Sequence, residues 1–95
     1  MTPNESSPKI ASDIVWRLLD GNAVVVSPRA GEVRVLNSVG TAIWQRLVEK
    51  EDLAEIEAFL QDHYDVTEER VHSDLLSFLE ELTERGILVW DDTNS

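Results

Sequence analysis

Polar and apolar positions alternate over Glu32-Val33-Arg34-Val35-Leu36, and within two residues the pattern changes to helical spacing, with Val39, Ile43 and Leu47 in register and Ala42 and Trp44 beside them. A period of two marks a half-buried strand, and a period near 3.6 marks an amphipathic helix. Asn37 or Ser38 is placed to cap that helix. A strand therefore runs into a helix with almost no loop, and the rest of the chain is arranged around this junction. Upstream, Ile14 to Leu19 predicts a strand, Asp20-Gly21-Asn22 a turn that tolerates positive φ, and Ala23 to Ser27 a second strand with three consecutive valines. Pro28 to Gly31 forms the next turn and Glu32 to Leu36 the third strand. The three make an antiparallel meander whose last strand keeps a row of backbone donors and acceptors without partners.

Three helices are predicted downstream. The first spans about Ser38 to Glu49. The second opens on Asp52 with Glu55 three residues later, a capping-box pattern, and turns Leu53, Ile56, Phe59 and Leu60 toward the core. Tyr64-Asp65-Val66 leads to the third, where Thr67 caps and Glu68 and Glu69 oppose the positive end of the helix dipole. Val71, Leu75, Phe78, Leu79 and Leu82 form its buried stripe, about 100° wide. Gly86 ends this helix, and Ile87 to Trp90 returns as a short apolar segment.

Ninety-five residues with 42% hydrophobic content predict one domain, 13–90, between a flexible N-terminal segment, 1–12, and a disordered tail, 91–95. The chain has no cysteine, so disulfides and thiolate metal sites are excluded. The polar residues Met1 to Ser7 show no signal-peptide pattern, and no apolar run approaches the roughly 20 residues that span a bilayer, which predicts a cytoplasmic protein. The net charge of −11 opposes binding to nucleic acid or to an anionic membrane. It is also uneven: Glu49 to Glu69 holds nine carboxylates and one lysine, whereas Ile14 to Leu36 holds three arginines against Asp20 and Glu32.

Catalytic patterns are weak. His72, Ser73 and Asp74 include triad residue types, but neighbours on a helix point about 100° apart and cannot relay a proton. His63 and His72 have no histidine partner at metal-ligand spacing, and the four glycines are dispersed, so neither a metal site nor a phosphate loop is expected. The chain reads as a non-enzyme without cofactor. A winged-helix DNA-binding or transcription-regulatory protein is the alternative. Its recognition helix would present His72, Ser73, Ser77, Glu80, Glu81 and Glu84, and those glutamates would meet phosphate with like charge. Trp16, Trp44 and Trp90 are expected to close the core rather than to form an aromatic binding surface.

The spacing Leu36-Asn37-x-x-Gly40-x-x-Ile43-Trp44, then Tyr64-x-Val66, then Val71-x-x-Asp74-x-x-x-Phe78-Leu79-x-x-Leu82-x-x-x-Gly86-Ile87-Leu88, resembles the PqqD family over about Val15 to Val89. This is the coenzyme PQQ synthesis protein D group, whose fold is also called the RiPP recognition element. The resemblance implies an α+β, winged helix-turn-helix-like fold with a three-stranded antiparallel sheet followed by three helices. It implies a peptide chaperone that binds the leader of a ribosomally made precursor peptide and presents it to a modifying enzyme, often a radical-SAM enzyme. The leader is expected to add as a strand to the third strand, in a cleft against the third helix. Nothing in the residues makes the product PQQ. A monomer or weak dimer is expected.

Energetics place the specificity. Ordering five leader residues costs about 1–2 kcal/mol each. Four new main-chain hydrogen bonds return only about 1 kcal/mol each. Two or three apolar leader side chains, worth about 1.5–3 kcal/mol each, must therefore be buried. The expected peptide-binding residues are Arg34, Val35 and Leu36 on the strand, and Asp74, Leu75, Phe78 and Leu79 on the helix. Core packing is the competing role for Leu75 and Leu79, and a local hydrogen bond for Asp74.

Overall fold

In the computed structural model, which describes residues 8–90, eight elements follow one another. They are β1 (Pro8–Ile10), β2 (Val15–Leu19), β3 (Asn22–Ser27), β4 (Glu32–Val35), α1 (Ser38–Val48), α2 (Leu53–His63), α3 (Glu68–Glu84) and β5 (Leu88–Trp90). The predicted meander is β2–β3–β4, antiparallel throughout, with β3 in the middle. Asp20 and Gly21, both at positive φ (55° and 82°), make the two-residue hairpin between β2 and β3, the conformation that right-twisted strands require. The α+β architecture of a three-stranded sheet followed by three helices is as expected from the sequence.

The helices start where side-chain oxygens satisfy free backbone N–H groups. Asn37, not Ser38, caps α1, accepting from the Gly40 N–H at 2.8 Å. Asp52 and Glu55 form the complete capping box of α2, and Thr67 caps α3 through the Arg70 N–H. Gly86, at φ +78°, ends the last helix in a conformation that a residue with a Cβ disfavours. The core lies between the sheet and the helices. Ala23 and Val25 of β3 pack with Ile43, Trp44 and Leu47 of α1, Ile56 and Leu60 of α2, and Val71, Leu75, Leu79 and Leu82 of α3.

Two features depart from the sequence reading. Residues 1–12 are expected to be flexible, yet Pro8–Ile10 form β1, which pairs antiparallel with β5 in a separate two-stranded sheet. The Ala11 N–H extends that pairing to the Ile87 carbonyl at 2.9 Å. The apolar return of Leu88–Trp90 offers backbone groups that a neighbouring strand satisfies, and burial of Pro8 holds that neighbour in place. Residues 1–7 and the expected tail, 91–95, lie outside the described residues. The second departure concerns the tryptophans. Trp44 is fully buried and Trp16 meets it edge-on with ring centroids 6.1 Å apart, but Trp90 is 36% exposed and donates its indole N–H to Thr83 Oγ1.

Candidate functional site

β4 is a terminal strand of its sheet, with no strand beside its outer edge among the described residues. Which groups point outward follows from the ladder. The Leu36 N–H donates to the Ala23 carbonyl at 2.8 Å, and Val24 pairs with Val35, Val25 with Arg34 and Val26 with Val33. Antiparallel pairs alternate between exchanging and not exchanging hydrogen bonds. The backbone of Arg34 is thereby turned toward β3, and the N–H and C=O groups of Val33 and Val35 face away from it.

A cleft of about 430 Å³ runs beside β4, bounded by the first turn of α1 and by α3. Its strand side is Arg34, Val35 and Leu36, its α1 side Asn37, Val39, Gly40 and Ile43, and its α3 side Asp74, Phe78 and Glu81. The strand-to-helix junction seen in the sequence therefore forms one wall. The tightness of that junction has a cause: the Thr41 hydroxyl takes the place of a ladder bond, accepting from the Ala23 N–H at 2.9 Å and lying 3.4 Å from the Leu36 carbonyl. Asn22 Nδ2 donates to the same carbonyl at 2.8 Å. These two side chains thus fix where the strand stops and the helix begins.

Of the seven expected binding residues, the structure brings five to this cleft: Arg34, Val35, Leu36, Asp74 and Phe78. Leu36 is itself buried, so it forms the cleft floor, whereas the Val35 side chain is 69% exposed on the opposite face of the sheet. Leu75 and Leu79 do not line the cleft. They are 0% and 1% exposed and belong to the core, because the positions facing the sheet are those most deeply covered. Phe78, expected in the same buried stripe, is only half-buried and borders the cleft. Asp74 pairs with Arg70 one turn earlier at 3.0 Å.

Sequence reasoning missed Glu81, which it placed on an outward face. Glu81 forms an ion pair with Arg34 across the cleft and lies 3.8 Å from Arg85, which in turn binds both carboxylate oxygens of Glu32 at 3.0 Å. The spacing of Asp74, Phe78 and Glu81, at i, i+4 and i+7, is the signal that would have found it. Arg34 is therefore not a solvated strand residue. Its Nε is buried and finds no hydrogen-bond partner among the described residues.

β2 is the other edge of the sheet, and a smaller cavity of about 270 Å³ adjoins it between Trp16, Gln45, Arg46 and Phe59. Arg46 there lies 3.5 Å over the Phe59 ring and bonds Glu51 at 2.8 Å, so its charge is already engaged. A further cavity of about 420 Å³, close in size to the β4 cleft, lies beside Ile14 and Trp16; the β4 cleft of about 430 Å³ differs in lying between the outer edge of β4 and α3.

The geometry opposes a recognition helix for DNA. α3 has a single arginine, Arg70, already paired with Asp74, among six carboxylates. His72 Nδ1 lies 2.6 Å from Glu57 on α2, and Ser73 is a separate exposed side chain, so the three triad residue types are not assembled. Among the described residues no three His, Asp or Glu side chains gather as metal ligands, and no helix is long and apolar enough to cross a membrane.

Comparison with known proteins agrees with this geometry. No curated protein matches the chain. Two solved structures are similar to it: one of TbiB1 in complex with the TbiA(beta) leader peptide, and one of lasso peptide synthetase B1 complexed with the leader peptide. The first is 28% identical with a TM-score of 0.81, covering 92% of this chain and 98% of that one. The second is 25% identical with a TM-score of 0.81, covering 87% and 98%. The family model of coenzyme PQQ synthesis protein D matches residues 22–88, a span that holds β3, β4, all three helices and every residue lining the cleft. The chain belongs to the PqqD family.

Proposed function

We propose that this chain is a non-catalytic, cytoplasmic carrier that binds the leader of a ribosomally made precursor peptide and presents it to a modifying enzyme. The leader adds as a strand along β4, pairing with the backbone groups of Val33 and Val35. Its inward side chains enter the cleft between Leu36, Phe78 and Arg34. The observation that carries the reading is a strand edge, unpaired among the described residues, that borders a cleft whose far wall is α3. Membership of the PqqD family and the leader-bound state of both similar structures support it.

The residues divide the work. Main-chain pairing sets orientation and register, and it contributes little net affinity, for the entropic reason given above. Affinity comes from apolar leader side chains packed on Leu36, Phe78 and Ile43. Arg34 supplies polar selectivity, because its guanidinium, on a side chain 25% exposed at the cleft, can donate to a carbonyl or carboxylate of the leader.

The test compares proline at the two sheet edges, using a fluorescent synthetic leader of the chain's precursor peptide. Val35→Pro removes an outward N–H from β4, and Leu18→Pro removes one from β2. Edge strands tolerate proline when the lost donor faces outward. Leader binding is expected to vanish in Val35→Pro and to persist in Leu18→Pro, with both variants folded by circular dichroism. Binding retained by folded Val35→Pro overturns the β4 assignment.

A further inference from the structure

The four most exposed large apolar side chains among the described residues are Val35, Val33, Val15 and Leu19, between 53% and 69% exposed. All four lie on the sheet face turned away from the helices. The register aligns Val15, Val26 and Val33 in one cross-strand row, and Arg17, Val24 and Val35 in the next. An antiparallel sheet with one packed face ordinarily shows water a polar one. Here the arrangement is inverted at β4, where Glu32 and Arg34 point inward and the valines outward. Core packing does not require valine at these exposed positions.

We infer that this outer valine face is the docking surface for the peptide-modifying enzyme, whose matching surface is apolar and places a carboxylate opposite Arg17. The inference rests on the reading that a leader adds to β4. Two observations select this occupant. The first is continuity: Val33 and Val35 offer their backbone to the leader and their side chains to the outer face. An added strand therefore extends both rows, and its alternate side chains join the same surface. A protein seated there touches carrier and cargo together, so it binds the loaded carrier more tightly than the empty one. The second is charge. The chain carries −11, yet the strand residues of this face include one charge, Arg17, and no carboxylate. A second copy on this face would bring two chains of −11 together and leave each Arg17 without a counter-charge.

The test titrates the purified enzyme that modifies the precursor peptide against the carrier, with and without the synthetic leader. The leader is expected to tighten enzyme binding by about fivefold or more. Val15→Glu and Arg17→Glu, exposed positions on β2 away from the β4 edge, are each expected to weaken enzyme binding by about tenfold. Leader affinity in both should match the parent. Leu19→Glu serves as a third variant, and thermal melts establish that each is folded. Unchanged enzyme affinity in these variants, with leader binding intact, overturns the inference alone. A carrier that sediments as a dimer dissociated by Val15→Glu assigns the face to a second copy and also overturns it. A parent protein that fails to bind the leader at all removes the leader-binding reading and this inference with it.

Discussion

Gly40 and Phe78 touch so closely that a Cβ on Gly40 would lie 3.3 Å from Phe78 Cε1, and 3.3 and 3.4 Å from Asn37 Oδ1 and Leu36 Cβ. Alanine at this helical position gains up to about 1 kcal/mol of helix propensity. The added methyl needs both the Asn37 cap and the Phe78 ring, which borders the cleft, to give way slightly. Gly40→Ala is therefore expected to leave stability within about 1 kcal/mol of the parent while weakening leader binding three- to tenfold, about 0.7–1.4 kcal/mol. Urea melts and a leader titration separate the two effects; unchanged affinity would mean that the ring yields in another direction.

Arg34 and Glu81 bind each other across the cleft with side chains 25% and 43% exposed. A pair this open to solvent contributes at most about 1 kcal/mol to folding. Glu81→Gln should accordingly melt close to the parent. Arg34→Ala also removes the guanidinium that borders the cleft and the packing of the arginine stem, so it is expected to lower leader affinity by about tenfold, or 1.4 kcal/mol. Calorimetry on both variants distinguishes an ion pair that shapes the site from one that only joins β4 to α3.

Leu75 and Phe78 sit one turn apart on α3 and should respond differently to truncation. Leu75 is fully buried, and Leu75→Ala is expected to destabilise the domain by about 2–5 kcal/mol through lost burial and the cavity left behind. Phe78→Ala, at a half-buried position bordering the cleft, should destabilise less and bind leader more weakly than Leu75→Ala does once each is assayed below its unfolding transition. Equal losses of stability in the two variants would make Phe78 a core residue rather than part of the cleft.

The Thr41 hydroxyl is the wedge that holds the strand-to-helix junction. Thr41→Val keeps the shape but leaves the buried Ala23 N–H without its acceptor, at a cost of about 1–3 kcal/mol. Denaturant unfolding measures the loss, and hydrogen exchange at Ala23 should accelerate in the variant relative to the interior of β3.

Much of this was legible in the sequence because it is locally encoded. The period-two run into Leu36, the capping residues Asn37, Asp52 and Thr67, and the Asp20-Gly21 turn each act through backbone chemistry within a few residues, and each stands where the pattern puts it. The open outer edge of the third strand, without a partner among the described residues, followed from counting strands in a meander. β1 was not legible, because three residues are too few to display a period and its partner, Leu88–Trp90, is nearly the whole domain away.

The sequence by itself determined the order and type of the main elements and the presence of a strand edge with no later strand predicted to cover it. Only the tertiary structure decided which side chains border the cleft beside that edge. Consecutive valines Val24, Val25 and Val26 are indistinguishable in a pattern, and it is the pairing register that buries Val25 and turns the other two outward. Likewise Leu75, Phe78 and Leu79 form one stripe on paper, and the packing of α3 against the sheet sends the leucines to the core and leaves the phenylalanine at the opening. A one-residue shift in register, or a modest rotation of the helix, exchanges these roles without altering any local preference. Long-range packing therefore makes the choice.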